Sequence, residues 1–335
     1  MAAMRVSIKT LAEKAQVSPS TVSRALRDDP RVRPETRRRV QALAKELGYV
    51  PSQVARSLVL RRTQTLGVVV TSVADPYVAQ VLAGLEEAAE AAGYTLLLVT
   101  SNAQAERELQ AIESLRQRQV DGLVLISSRA GELLDPLLPE LDVPVVLVNN
   151  REHRGAHVHT VYSDTAAGAR LATDHLLELG HRRIAYVGGP PGYSAGERRT
   201  GFLRALQAAA IPVDHRLLLP GMGEPDDGRR ALSWVLDLGA TAVVCYNDLT
   251  ALGMLAAAAE AGVAIPEQLS VVGIDNLPFG TLSVPRLTTV DQEMAELGRQ
   301  AAQLLLAVLA GQEGQDVVLQ SRLIVRESTG PAPAP

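Results

Sequence analysis

Four short apolar runs in this sequence are each followed by a carboxylate or a carboxamide. Asp75 follows Leu66–Ser72, Asn149 and Asn150 close VVLVNN, Asn247 and Asp248 close AVVCYND, and Asp275 and Asn276 close VVGIDN. Arg198 stands at the start of the helical stretch after RIAYVGG. Carboxylates accept from hydroxyls, carboxamides donate and accept, and a guanidinium donates through a fixed fork, so converging in a cleft they suit a neutral polyhydroxyl ligand. Tyr77, Tyr246 and Phe279 supply rings for stacking. Every Asx residue at a strand end also has a structural use as a helix cap. Asp248 is expected to cap LTALGML and Asp164 to cap TAAGARL, whereas Asn247 suits ligand or cap equally. Trp234 is expected to pack on a helix.

Other chemistries lack their context. Gly192-Tyr193-Ser194-Ala195-Gly196 matches G-x-S-x-G, but Gly189-Pro190-Pro191 intervenes where that motif needs a sharp strand-to-helix turn. The only later histidine, His215, adjoins Asp214, so no acid–histidine relay follows. His153, His157 and His159 have metal-ligand residue types, yet a surface strand is the expected setting of His157 and His159. No phosphate-binding glycine loop stands before a helix. Cys245 is the sole cysteine, which excludes an internal disulfide and a cysteine-based zinc site. No catalytic residue, cofactor or metal is expected.

The elements that must position these residues follow from pattern. Strands are expected at Leu66–Ser72, Thr95–Ser101, Gly122–Ser127, Val145–Asn149, Arg183–Gly188, Ala242–Tyr246 and Ser270–Ile274. Helices are expected at Tyr77–Ala92, Ala105–Gln119, Thr165–Leu179, Glu197–Ala209, Asp226–Leu238, Asp248–Ala261 and Glu293–Ala310. Apolar strands alternating with helices make parallel sheets covered on both faces. So many strands point to two doubly wound α/β lobes, whose ligands sit beyond the strand C-termini.

The first 50 residues read differently. Ile8, Leu11, Ala12 and Ala15 recur at helical spacing, Ser18-Pro19 is a cap followed by a first-turn proline, and Val22 and Leu26 continue a second helix. Two short helices across a tight turn describe a helix-turn-helix, with Ser20, Arg24 and Arg27 opposite the inward face and free to enter a major groove. A third helix, Pro34–Leu47, stops at Gly48 and carries Arg37, Arg38 and Arg39 as phosphate contacts. Residues 1–62 hold 14 Lys/Arg against five Asp/Glu, net +9, while the remainder is net −13. A basic head on an acidic body is the layout of a protein that sits on nucleic acid by one end.

The stretches IKTLAEKAQVSPSTVSRAL and VRPETRRRVQALAKELGYVPSQVARSL, with ELGHRRIAYVGG, RRTGF, CYND, SVVGIDN and LTTVDQ, resemble the lactose/galactose-repressor family of bacterial regulators. The resemblance implies a helix-turn-helix headpiece joined to a periplasmic-binding-protein-like sensor of two lobes. It implies that Pro19, Ser20 and Arg24 read bases, and that Gln53–Val59 forms a hinge helix on DNA. Leu58 of each subunit would then wedge into the minor groove. It gives Arg198 and Asp275 the firmest effector assignments, followed by Asp75, Asn149, Ser194, Asn247 and Gln292. Two residues depart from the family pattern: Arg33 stands where a small cap is usual, and Val59 is bulkier than its common counterpart.

The expected organisation is a DNA-binding domain over 5–50, a hinge over 51–64, a two-lobed effector and dimerisation domain over 65–328, and a disordered tail over 329–335. The expected partners are a pseudo-palindromic operator, a second copy of the chain, and a small effector, a sugar first and a nucleoside or purine second. MAAMRVSIKT holds no apolar stretch of signal-peptide length, and no run of ~18 apolar residues occurs, so a cytoplasmic protein without a membrane partner is expected. GPAPAP carries no leucine heptads, so no coiled-coil tetramerisation tail is expected. A receptor without a DNA role and a sugar-modifying enzyme are the competing classes; the basic head opposes the first. Leu58→Ala should weaken specific operator binding far more than non-specific binding in a gel shift, and equal losses would remove the wedge.

Overall fold

The computed structural model describes residues 6–49, 62–150, 155 and 157–334. The hinge assignment over Gln53–Val59, Leu58 and His153 lie outside the described residues. The chain divides into two compact units, Met1–Thr63 and Gln64–Pro335.

Among the described residues, the first unit packs three helices, α1 (Ile8–Ala15), α2 (Pro19–Ala25) and α3 (Pro34–Glu46). The Ser7 and Ser18 hydroxyls accept from the Thr10 and Thr21 amides, each at 3.1 Å, and so cap α1 and α2. Gln16, at φ +51°, turns the chain between them. Arg33 precedes α3 without a side-chain cap bond. Leu11, Ala12, Ala15, Val22, Ala25, Val32, Val40 and Ala44 form the core, with Leu26, Leu43 and Leu47 half-buried against it.

The second unit has two six-stranded sheets. Lobe 1 uses β1 (Thr65–Val70), β2 (Thr95–Thr100), β3 (Gly122–Ile126), β4 (Val145–Val148), β5 (Val158–Ser163) and β11 (Val317–Leu319) in the order β11-β5-β4-β3-β1-β2, all parallel. Lobe 2 uses β6 (Ile184–Val187), β7 (Leu218–Leu219), β8 (Ala242–Cys245), β9 (Ser270–Asp275), β10 (Thr288–Asp291) and β12 (Arg322–Ile324) in the order β12-β10-β9-β8-β6-β7. Only β12, antiparallel to β10, breaks its parallel run.

Helices cover both faces of each sheet. In lobe 1, α4 (Pro76–Ala91) and the later α10 (Met294–Leu309) cover one face and α5 (Ala105–Gln117) the other. In lobe 2, α6 (Thr165–Glu178) and α7 (Tyr193–Ala208) oppose α8 (Pro225–Asp237) and α9 (Asp248–Ala261). The chain passes between lobes three times, at Ser163–Thr165, Asp291–Met294 and Leu319–Arg322. α4 and α10 approach closely enough that a Cβ on Gly84 would run into the Ala295 carbonyl, and one on Gly298 into the Val81 carbonyl.

Several expectations need correction. His159 does not mark a surface strand: β5 is internal to its sheet, with β11 from the far end of the chain pairing along Val161–Ser163, while His157, just before it, is exposed. Trp234 is 52% exposed on α8 rather than packed. α7 starts at Tyr193, four residues before the expected Glu197. The tail is anchored past 328, since lobe 2 offers buried polar partners there. Thr329 meets His175 Nε2 at 3.0 Å, the Gly330 carbonyl meets His181 Nε2 at 3.0 Å, and the Ala332 amide donates to the Leu179 carbonyl at 2.9 Å.

Gly84→Ala should force α4 and α10 apart and cost about 1–3 kcal/mol, the usual range for overpacking, read as a lower urea midpoint.

Candidate functional site

On the headpiece, Pro19, Ser20 and Arg24 are exposed along α2, and Arg27 is exposed just beyond its end, with its Nε donating to the Ser23 carbonyl at 3.1 Å. The Ser20 hydroxyl also lies 2.8 Å from that of Ser18, so the cap fixes its direction. The three arginines of α3 divide their work. Arg37 donates to the Asp28 carbonyl at 3.1 Å and Arg39 to the Ala15 carbonyl at 3.0 Å, holding α3 against the turns that frame α2. Arg38 is exposed.

In the second unit the strand ends converge on Arg198, which is 4% exposed. Its Nε donates to Thr165 Oγ1 at 3.1 Å, its Nη1 to the Tyr246 carbonyl, and its Nη2 to Asp275 Oδ1 at 3.1 Å. The guanidinium lies 4.4 Å from the Tyr246 ring centroid. Gln292 Nε2 donates to the same Asp275 oxygen at 2.5 Å, while its Oε1 accepts from Thr165 at 3.2 Å. Burial pushes the Asp275 carboxyl up to about 7; Arg198 opposes this shift, and Asp248 and Asp75 add to it.

Lobe 1 adds a second group. Asn149, at φ +54°, donates to the Tyr77 hydroxyl and accepts from the Ser163 amide at 2.9 Å. Asp75 caps α4 by accepting from the Tyr77 amide at 2.9 Å, and burial raises its carboxyl pKa. Burial also raises that of the Tyr77 phenol, with Asp275 adding to it. Ser163 joins the two groups, its amide donating to Asn149 and its hydroxyl to the Gln292 carbonyl at 2.7 Å.

The other expected residues fall differently. Asn247 spends both ends inside lobe 2: Oδ1 caps the Thr250 amide at 2.9 Å and Nδ2 donates to the Gly223 carbonyl at 2.9 Å. The expected cap, Asp248, is instead fully buried and accepts from the Leu277 amide at 2.7 Å and from the Thr289 hydroxyl. It thereby fixes the turn after Asp275, at φ +131°, and Asn276, at φ +59°. Ser194 is half-buried in the first turn of α7, and Phe279 is 49% exposed on a short 3-10 turn. Between β6 and α7 stand five residues, 188–192, too many for a nucleophile elbow.

Thr165, Arg129 and Tyr186 were not legible as site residues. The Tyr186 hydroxyl is buried without a hydrogen-bond partner among the described residues. Thr165 was masked by its place behind the Asp164 cap, which does hold the Ala167 amide at 2.9 Å.

A three-helix reader followed by two parallel-sheet lobes around a polar cleft defines a ligand-responsive DNA-binding protein. Residues 7–52 match the family model "Bacterial regulatory proteins, lacI family", and residues 63–327 match "Periplasmic binding proteins and sugar binding domain of LacI family". The chain is 35% identical over 333 residues to the HTH-type transcriptional repressor PurR of Erwinia tasmaniensis, covering 98% of each. Among solved structures, the transcriptional regulator CelR–cellobiose complex matches at 32% identity and TM-score 0.72, over 97% of this chain and 100% of that one. The lac repressor dimer bound to operator and the anti-inducer ONPF matches at 26% identity and TM-score 0.86, over 98% and 100%. This chain belongs to the LacI family. It is a DNA-binding transcriptional regulator with a small-molecule sensor, not an enzyme.

The Asp275 carboxyl gains its proton preference on folding, from the ordinary value of about 4 to about 7. Its contribution to stability is therefore full below pH 4 and is lost as pH rises through 7. In urea titrations, Asp275→Asn should reduce the fall in stability between pH 5 and 6 by up to about 1.4 kcal/mol per pH unit. An identical slope in both proteins would show that Asp275 does not titrate there.

Proposed function

We propose that the chain is a homodimeric, cytoplasmic repressor whose two headpieces read half-sites of a pseudo-palindromic operator, and whose operator affinity is set by a sugar bound between the lobes. The observation that carries the effector reading is the Arg198–Asp275–Gln292 cluster, buried and mutually hydrogen-bonded at the strand C-termini. Its side chains offer the donors and acceptors that hydroxyl groups need. The family-model description of a sugar-binding domain and the cellobiose bound to one structural relative support the same ligand class. A nucleoside or purine is the second class, favoured by the buried Tyr77 and Tyr246 rings at the cleft.

Asp75, Tyr77, Asn149, Arg198, Asp275 and Gln292 form the effector site in this reading, with Ser194 and Phe279 as outlying contacts. Asn247 contributes by shaping the start of α9. Pro19, Ser20, Arg24 and Arg27 face the major groove, with Arg37 close to the phosphates. Operator affinity, being largely phosphate neutralisation, falls steeply with salt. Ligand binding acts by shifting the lobe-closure equilibrium, to which the headpieces are linked through the hinge over 51–64.

A thermal-shift screen of sugars and nucleosides tests the effector: at 100 times its Kd a cleft ligand adds ~2.7 kcal/mol. Arg198→Ala should abolish the shift and leave operator binding intact; a retained shift would place the ligand elsewhere.

A further inference from the structure

We propose that Arg129 is a latch that holds the two lobes closed across the mouth of the cleft. Arg129 lies in the loop after β3, in lobe 1, and its Nη1 donates to the Pro191 carbonyl, 62 residues on, at 3.1 Å. Pro191 belongs to the turn that leads into α7, in lobe 2, the helix that carries Arg198. The bond is remote in sequence from the three crossovers, where the chain itself already ties the lobes together. It can exist only while the β3 loop and the α7 turn are close. Leu277 marks the same closed arrangement: it leaves β9 of lobe 2 and packs into the apolar cluster of lobe 1.

Both sides of the contact are shaped for it. Gly192 sits at φ +142°, a conformation that favours glycine, and a Cβ there would lie 2.9 Å from Arg129 Nη1, so any larger residue would push the guanidinium tip aside. On the other side, the Arg129 amide donates to Glu108 Oε2 at 2.8 Å. Glu108 is 2% exposed on α5, and its Oε1 has no hydrogen-bond partner among the described residues. A buried carboxylate satisfied on one side only is costly, and core packing gives no reason to keep it. Fixing the backbone of the loop that aims Arg129 does. The Arg129 charge also acts on Asp75, at the lobe 1 wall of the cleft. The latch therefore spans from the first acid of the cleft to the turn before its arginine.

On opening, guanidinium and carbonyl both return to water, so the net worth of the bond is that of one charge-assisted hydrogen bond, about a tenfold change in the closed-to-open ratio. Resting on the effector reading above, the consequence is that Arg129 sets how much closure the ligand itself must supply.

The test needs no ligand. Spin labels go on full-length protein carrying Arg107→Cys and Arg204→Cys, exposed positions on α5 and α7, while Cys245 is buried and stays unlabelled. Pulsed dipolar spectroscopy then gives the interlobe distances. Arg129→Met should lower the short-to-long population ratio about tenfold, Arg129→Lys should regain part of it by keeping a donor, and Glu108→Met should lower it by freeing the loop. An unchanged ratio in Arg129→Met, or equal losses in the Met and Lys variants, overturns the latch. Because sugar is absent, this outcome is separate from whether Arg198→Ala loses its ligand response.

Discussion

A single buried pair, Arg198 with Asp275, is the contact on which the sensor is organised, and it becomes a full ion pair as pH rises through about 7. Withdrawing two charges from water is expensive, and their attraction repays it only when the remaining donors and acceptors are also met. Arg198 meets that condition with Thr165, the Tyr246 carbonyl and Asp275, and Asp275 meets it with Gln292. Two of these partners stand on chain crossovers: Thr165 begins α6 just after the first, and Gln292 lies in the second. Charge satisfaction in the cleft and the path of the chain between lobes are therefore one network. A ligand that takes over one hydrogen bond of Arg198 or Asp275 changes the forces on the segments about which the lobes move.

The headpiece answers a different constraint. Its small core is built mostly from alanine, valine and leucine, and some of its charge is spent on holding itself together. Arg37 and Arg39 brace α3 against neighbouring turns, which leaves Arg24 and Arg38 outward. A basic surface is thus partly scaffolding, and its formal charge overstates the number of side chains ready to meet phosphates.

Much of the architecture was legible because it rests on local signals. Seven apolar runs became seven strands, and Ser18-Pro19 placed the start of α2, because caps and burial act over a few residues. The strands that escaped were β7, β10, β11 and β12, short segments whose pairing depends on distant partners, while β5 was expected as a strand but on the surface. The crossovers were invisible for the same reason, and with them Thr165; Arg129 was hidden because its partner lies 62 residues on. Asn247, expected as ligand or cap equally, makes the cap assigned to Asp248, since one residue's shift decides which side chain caps and which turns inward. Pro331 and its neighbours suggested a loose tail, but the polar atoms just before them found the half-buried His175 and the buried His181. Arg198 and Asp275 were singled out by their places near strand ends and by resemblance, but that they pair with each other was not legible, since the two lie 77 residues apart.

The return of α10 and β11 to lobe 1 governs the order in which this protein can be made. When β5 leaves the ribosome, about 130 residues of lobe 2 must still be synthesised before α10 emerges. At roughly 5–20 residues per second, that leaves the apolar side of α4, Val81 and Leu85 included, without its partner helix for several seconds or more. Of the two lobes, the one begun first is thus completed late, and during that interval the nascent chain offers a hydrophobic groove to any chaperone or sister chain nearby.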